Sequence, residues 1–258
     1  MSSHANERID APSKLLLLSE GRALLEFGLG VAALPALLSA KRGDGHPVLV
    51  LPGFLASDRS TEPLRRYLRA LGYDAYGWEL GSNRTGVHAM RRQLRERLEG
   101  IRAKAGRKVS LIGWSLGGIY ARDLAFTSMD DVRYVVTLGS PITPSETNAS
   151  GLYRRMSGRS TPSLDPQERA KISRPLPVPT TAFYSKTDGV VNWRASVVET
   201  GANSENVEVY GSHTGLGVNP SVLWAIADRL AQPEGTFVPF SRHGPFALTY
   251  PRADTSRA

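Results

Sequence analysis

Gly113-Trp114-Ser115-Leu116-Gly117 sets a serine between two glycines in the pattern G-x-S-x-G. It follows the apolar run Val109 to Ile112 directly and precedes a helical pattern. A tight strand-to-helix turn at that point would present the Ser115 hydroxyl as a nucleophile. Side chains at Gly113 or Gly117 would collide within so crowded a turn. A serine hydroxyl needs a general base, and the base needs an acid to fix its tautomer. Two later fragments offer these groups: Asp188 in Ser185-Lys186-Thr187-Asp188-Gly189, and His213 in Gly211-Ser212-His213-Thr214-Gly215. Each lies just past the C-terminal end of an apolar run, where open α/β sheets place their ligands. Backbone N–H groups of the turn Pro52-Gly53-Phe54-Leu55 and of Leu116 are candidate donors to an oxyanion. Such donors are worth about 3 kcal/mol each in a transition state. The chemistry is acyl transfer through an acyl-serine intermediate, and it needs no cofactor.

The other candidates fit less well. His4 and His243 lie in the tails, His88 begins an amphipathic helix, and His46 precedes the first strand at its wrong end. Asp131 follows the helix after the serine and reads as a helix-end residue. Gly28-Leu29-Gly30-Val31-Ala32-Ala33 has the spacing of a dinucleotide turn, but the residues before it read as helix rather than strand. Arg42-Gly43-Asp44 is expected by chance in a loop of small polar residues. The chain has no cysteine, which excludes a thiol nucleophile, a disulfide framework and a thiolate metal site.

The elements that must position these residues alternate between strand and helix. Pro47 to Leu51 reads as a buried strand. Leu64, Tyr67, Leu68 and Leu71 mark a helix closed by Gly72. Strands are expected at 74–80, 108–112, 132–138, 180–184 and 206–210. Val87, Met90, Leu94, Leu98 and Ile101 mark a long amphipathic helix, and Leu116 to Phe126 another. Asn219-Pro220 opens a last helix as cap and first turn. The pattern predicts an α/β fold: a mostly parallel, doubly wound sheet of about six strands with helices on both faces. Residues 139–179 lose periodicity and hold 7 of the 17 prolines, which reads as a functional loop or lid. The organisation expected is an apolar helical segment at 1–46, a core at 47–232 and an extension at 233–258. The first half of that extension should lie on the core and its end should fray.

Residues 14–40 are unusually apolar, but their longest uncharged run, Phe27 to Ala40, has 14 residues. A membrane span needs about 20. Glu7 and Asp10 beside Arg8 make a poor start for a secretory signal. Two readings remain: a helix docked on the protein's own body, or an apolar face resting on a membrane or on lid elements. The formal net charge is +8 over 258 residues. The arginines are spread at helical spacing, which suits a solvated basic surface, with contact to anionic lipid as the alternative. No nucleic-acid motif is present, and no nucleic-acid partner is expected. The expected location is the cytoplasm, with the membrane surface and secretion as alternatives.

Taken together, Leu51-Pro52-Gly53-Phe54, the Ser115 pentapeptide, Thr137-Leu138-Gly139-Ser140-Pro141, Asp188-Gly189-Val190-Val191 and Gly211-Ser212-His213 resemble a serine α/β-hydrolase. Within that superfamily the chain resembles the compact bacterial lipase and esterase group, over about residues 47–232. The resemblance implies the α/β-hydrolase fold and the chain order serine, acid, histidine. It implies Ser115 as nucleophile, His213 as base, Asp188 as orienting acid, and the Phe54 and Leu116 backbones as oxyanion hole. The implied activity is carboxylic-ester hydrolysis, with an acyltransferase or a non-catalytic binding protein on the same scaffold as alternatives. Leu55, Trp114 and Val190 beside the chemistry, and Ile142, Leu152, Tyr153 and Met156 in the 139–179 segment, are the candidate substrate contacts. With the N-terminal segment and residues 139–179 both flanking the mouth, lipid-like esters join the substrate class. Two departures stand out. Pro52-Gly53 replaces the His-Gly of many lipases. The two early antiparallel strands of larger hydrolases are missing unless residues 14–40 hold them. Some relatives bind a structural calcium, but no calcium site transfers residue by residue.

Overall fold

A computed structural model describes residues 9–84, 87–143 and 166–251. Its centre is a six-stranded parallel sheet. The strands are β1 (Pro47–Leu51), β2 (Asp74–Gly77), β3 (Val109–Trp114), β4 (Val132–Leu138), β5 (Thr180–Tyr184) and β6 (Ser204–Glu208). They lie in the order β2-β1-β3-β4-β5-β6. The chain starts near one edge, reverses direction across the sheet after β2, and then proceeds strand by strand to the far edge.

Alternation along β1 feeds two cores. Val48 and Val50 face a cluster with Leu64 and Leu68 of α4 (Asp58–Ala70) and Ile226 of α8 (Pro220–Leu230). Leu49 and Leu51 face the other cluster, with Leu94 and Leu98 of α5 (Val87–Ala105) and Tyr120 and Leu124 of α6 (Leu116–Thr127). Strands buried on both faces become continuous apolar runs, which is why β1 stands out in the sequence.

The boundaries differ from the sequence expectation at several places, β3 for one running on to Trp114 rather than stopping at 112. Helix α4 begins six residues before Leu64, because Asp58 fixes its start: the carboxylate accepts from the Trp78 and Glu79 backbone N–H groups at 2.9 Å each. Strand β2 stops at Gly77, and Trp78 instead turns inward to donate to the Gly81 carbonyl. Strand β6 runs over 204–208 rather than 206–210, paired residue for residue with β5. The 139–179 region also contains a helix, α7 (Pro166–Ser173). Glu168 of α7 meets Arg91 at 3.0 Å, and the Arg122 guanidinium donates to the Ile172 carbonyl at 2.7 Å. Leu152, Tyr153 and Met156 lie outside the described residues.

Residues 14–40 are helical and hold no strand. They form α1 (Lys14–Leu18), a 3₁₀ turn (Ser19–Arg22), α2 (Ala23–Ala32) and α3 (Leu34–Leu37). Among the described residues no helix is long and apolar enough to cross a membrane. The extension after Pro233 packs on α8: the Tyr250 hydroxyl donates to the Ser221 carbonyl at 2.6 Å, and Phe246 lies against Trp224.

Candidate active site

Ser115 stands between β3 and α6 with φ 53° and ψ −119°. A non-glycine residue in that region costs about 1–3 kcal/mol and persists only when its surroundings force it. The surroundings here are tight. A Cβ on Gly113 would lie 2.3 Å from the Gly117 carbonyl oxygen, and one on Gly117 would lie 2.2 Å from that of Leu51. The Ser115 N–H donates to the Leu138 carbonyl at 2.8 Å, tying the elbow to the end of β4.

Beyond that end, Gly139 has φ +55° and brings the acid and the base together. A Cβ there would sit 3.0 Å from Asp188 Oδ2 and 3.0 Å from His213 Nδ1. His213 Nδ1 lies 2.6 Å from Asp188 Oδ2. The other oxygen, Oδ1, accepts the N–H groups of Val190 and Val191 at 2.8 Å each. Asp188 is therefore a fully engaged acceptor. Its partner nitrogen on His213 must carry the proton, leaving Nε2 as the basic site. Burial of His213 works against its protonation. The charge of Asp188, their hydrogen bond and the nearby Glu20 charge outweigh it and raise its pKa above the ordinary histidine value.

The turn expected to form the oxyanion hole is seated on the nucleophile. A Cβ on Gly53 would meet the Ser115 Cβ at 3.3 Å. Asn83, fully buried, braces this turn. Its Nδ2 donates to the Pro52 carbonyl at 2.9 Å, its backbone oxygen accepts from Leu55 at 2.7 Å, and its Oδ1 accepts from Tyr120 at 2.8 Å. Leu55 has φ 61°, so the turn is strained beside the strained serine. Phe54 and Leu116 are both half-buried there. Nothing in the sequence distinguished Asn83, because a lone Asn in a polar loop carries no periodicity.

The candidate substrate contacts separate. Leu55 is exposed and Val190 half-buried beside Asp188. Trp114 braces the base loop instead: its indole N–H donates to the His213 carbonyl at 3.0 Å, and its ring packs on Gly217. Ile142 is packed away with Ala182 and Val198.

Three ionic residues of the N-terminal segment also reach the site. Glu20 Oε1 accepts from the backbone of Gly189 at 2.8 Å and of His213 at 2.9 Å. Its Oε2 accepts from the Thr214 backbone and hydroxyl, both at 2.9 Å. One carboxylate thus ties the acid loop to the base loop. Burial opposes the Glu20 charge, but the N–H donors of Thr214, His213 and Gly189 win, and its pKa falls below the ordinary carboxylate value. Glu26 accepts from Ser212 N–H at 2.7 Å, and Arg22 donates to the Thr187 carbonyl at 2.7 Å. The segment is docked on the body, as one reading expected, through these charges and through Leu37, which is fully buried in the core, while most of its other leucines are left outside.

The same three residue types meet at the opposite end of the sheet. His46 Nδ1 lies 2.5 Å from Asp44 Oδ1, and its Nε2 lies 3.0 Å from Ser110 Oγ. Here Ser110 sits inside β3 with no elbow, and His46 is fully buried. Burial, opposed by the Asp44 hydrogen bond, pushes the His46 pKa down to about 4. His46 and Ser110 are buried and Asp44 is exposed, so the trio is a polar bridge from the interior to the surface rather than a site.

The family model of the alpha/beta hydrolase family matches residues 48–253. The chain belongs to that family. Solved structures agree on the fold. Lipase B of Aspergillus fumigatus aligns with a TM-score of 0.57 at 18% identity, covering 76% of this chain and 55% of the fungal one. The chain thus spans little more than half of that relative. A lipase of Bacillus licheniformis aligns at 0.52 and 17% identity, over 76% of this chain and 94% of its own. An alpha/beta superfamily hydrolase from Oenococcus oeni aligns at 0.51 and 17%, over 72% and 91%. No curated protein matches the chain.

Proposed function

We propose that the protein is a carboxylic-ester hydrolase working through Ser115, His213 and Asp188. The observation that carries this reading is the 2.6 Å His213–Asp188 contact at the same sheet end as the strained Ser115 elbow. With Nδ1–H held by Asp188, Nε2 of His213 takes the Ser115 proton as Oγ attacks the ester carbonyl. The Phe54 and Leu116 N–H groups receive the oxyanion. His213 then gives its proton to the departing alcohol and activates the water that cleaves the acyl-enzyme. Neighbours that are lipases support an ester substrate, and the exposed Leu55 beside the oxyanion turn suits an apolar acyl or alcohol group.

The test is turnover of p-nitrophenyl esters of graded chain length, with products resolved by mass. Release of free acid that Ser115→Ala abolishes is the expected result. Acyl transfer to an added alcohol with no free acid would replace the hydrolase by a transferase. Unchanged turnover in Ser115→Ala would overturn the mechanism.

A further inference from the structure

From Leu15 to Leu38 the N-terminal segment carries most of its apolar residues outward, Leu37 being buried in the core. Its ionic residues Glu20, Arg22 and Glu26 are buried or half-buried against the body. From Leu15 to Leu38 every exposed residue is Leu, Phe, Val, Ala, Gly or Pro. Leu15, Leu18, Leu24 and Leu25 are each more than 70% exposed, at 79, 79, 82 and 72%. A solvated helix carries its charges outward. Single exposed leucines are ordinary, but a continuous apolar face of this extent marks a contact surface. The fold does not leave the segment free to turn over, because Glu20 and Glu26 are hydrogen-bonded to three consecutive residues, 212–214. At Gly30 the helix backbone lies so close to Val218 that a Cβ would meet its oxygen at 2.5 Å.

The face continues into a groove of about 620 Å³ between this segment and α4. Phe27, Val31, Leu34 and Leu38 line one side, and Arg59, Glu62 and Arg66 the other. Arg66 is paired with Glu62 at 2.9 Å. Arg59, and Lys14 at the start of the segment, are exposed and form no ion pair among the described residues.

We propose that this face docks the protein on a lipid bilayer carrying anionic headgroups, with the leucines in the acyl boundary and Lys14, Arg59 and Arg66 among the phosphates. Two observations select this occupant. The exposed face from Leu15 to Leu38 presents no polar side chain, whereas a protein interface carries about one hydrogen bond per 100–200 Å². Hydrocarbon asks for no such partner. The unpaired cations at the rim and the formal charge of +8 complement an anionic surface. A second copy of the chain would set the same cations against each other.

The experiment is co-sedimentation of the full chain with vesicles of phosphatidylcholine, with and without phosphatidylglycerol. The protein should bind the mixed vesicles, and added salt should weaken the binding. The double variant Leu24→Glu, Leu25→Glu should lose at least about tenfold in partition while keeping its melting temperature, since both side chains stand in solvent. Arg59→Glu should weaken binding to the mixed vesicles selectively. Ser115→Ala should bind like the parent, which separates this proposal from the catalytic one. Failure of the folded parent to bind, or equal binding by the leucine variant, would overturn it. A dimer in light scattering that the leucine variant dissolves would assign the face to a second copy and would also overturn it.

Discussion

Asp188 and His213 form a pair in which each atom has one task. Asp188 Oδ2 holds the imidazole, while Oδ1 is saturated by Val190 and Val191. Asp188→Asn replaces the acceptor by an amide that can present N–H to Nδ1, forcing the wrong tautomer. A kcat about 10⁴-fold lower is expected with little loss of melting temperature. The base works only when neutral. Because the site raises the His213 pKa, kcat/KM should fall on acidification with a midpoint above the ordinary 6.5. A pH–rate profile of the free enzyme checks this. The proposed catalytic residues were legible in the sequence because each follows a strand and lies in a short fragment that suits a tight loop. Asn83 was not legible, since its role depends on three partners distant in sequence.

At the scale of elements, the N-terminal segment is the part that pattern reading could not orient. Periodicity identifies the apolar side of a helix but not whether that side faces the core. Glu20, Arg22 and Glu26 interrupt an apolar stretch in the sequence; in the fold they are the docking side. Glu20 holds both catalytic loops without touching the reacting atoms, so it is a positioning residue. Glu20→Ala leaves the N–H groups of Gly189, His213 and Thr214 without their acceptor. It should cost about 1–3 kcal/mol of stability and lower kcat more than it raises KM. Glu20→Gln keeps one accepting oxygen, enough for the Gly189 and His213 N–H groups, while it removes the charge and the acceptor facing Thr214. Since that charge raises the His213 pKa, the acid limb of the rate profile should move to lower pH in this variant. A purely structural role for Glu20 would leave the limb in place. The prolines of 139–179 concealed α7 for a different reason: its apolar stripe is short, with Ile172 buried in the core, and Arg122 holds its end by donating to the Ile172 and Arg174 carbonyls.

Across the whole molecule, one sheet carries two Asp–His–Ser groupings at opposite ends, and their environments divide the work. At the C-terminal end Ser115 sits on a strained elbow and is 4% exposed; at the other end Ser110 lies inside a regular strand, and it and His46 are fully buried. The unfolded chain protonates His46 near 6.5, and the folded one only near 4. Between these values the unfolded state binds the extra proton, so stability rises with pH. His46 alone can account for a loss of up to about 3 kcal/mol as pH falls from 7 to 4. Urea denaturation across that range should show the slope, and His46→Gln should flatten it. The parallel, doubly wound class of the sheet, by contrast, was open to inference from the alternation of strand and helix, because β1, β3 and β4 are buried along their length and mostly apolar.

The central claim is that Ser115 is an activated nucleophile. Reaction of the pure protein with a fluorophosphonate, followed by peptide mass mapping, tests it most directly. The prediction is one adduct, on Ser115, formed quickly in the parent and lost in His213→Ala. A folded parent that stays unlabelled with and without detergent, or an adduct on another residue, would contradict it.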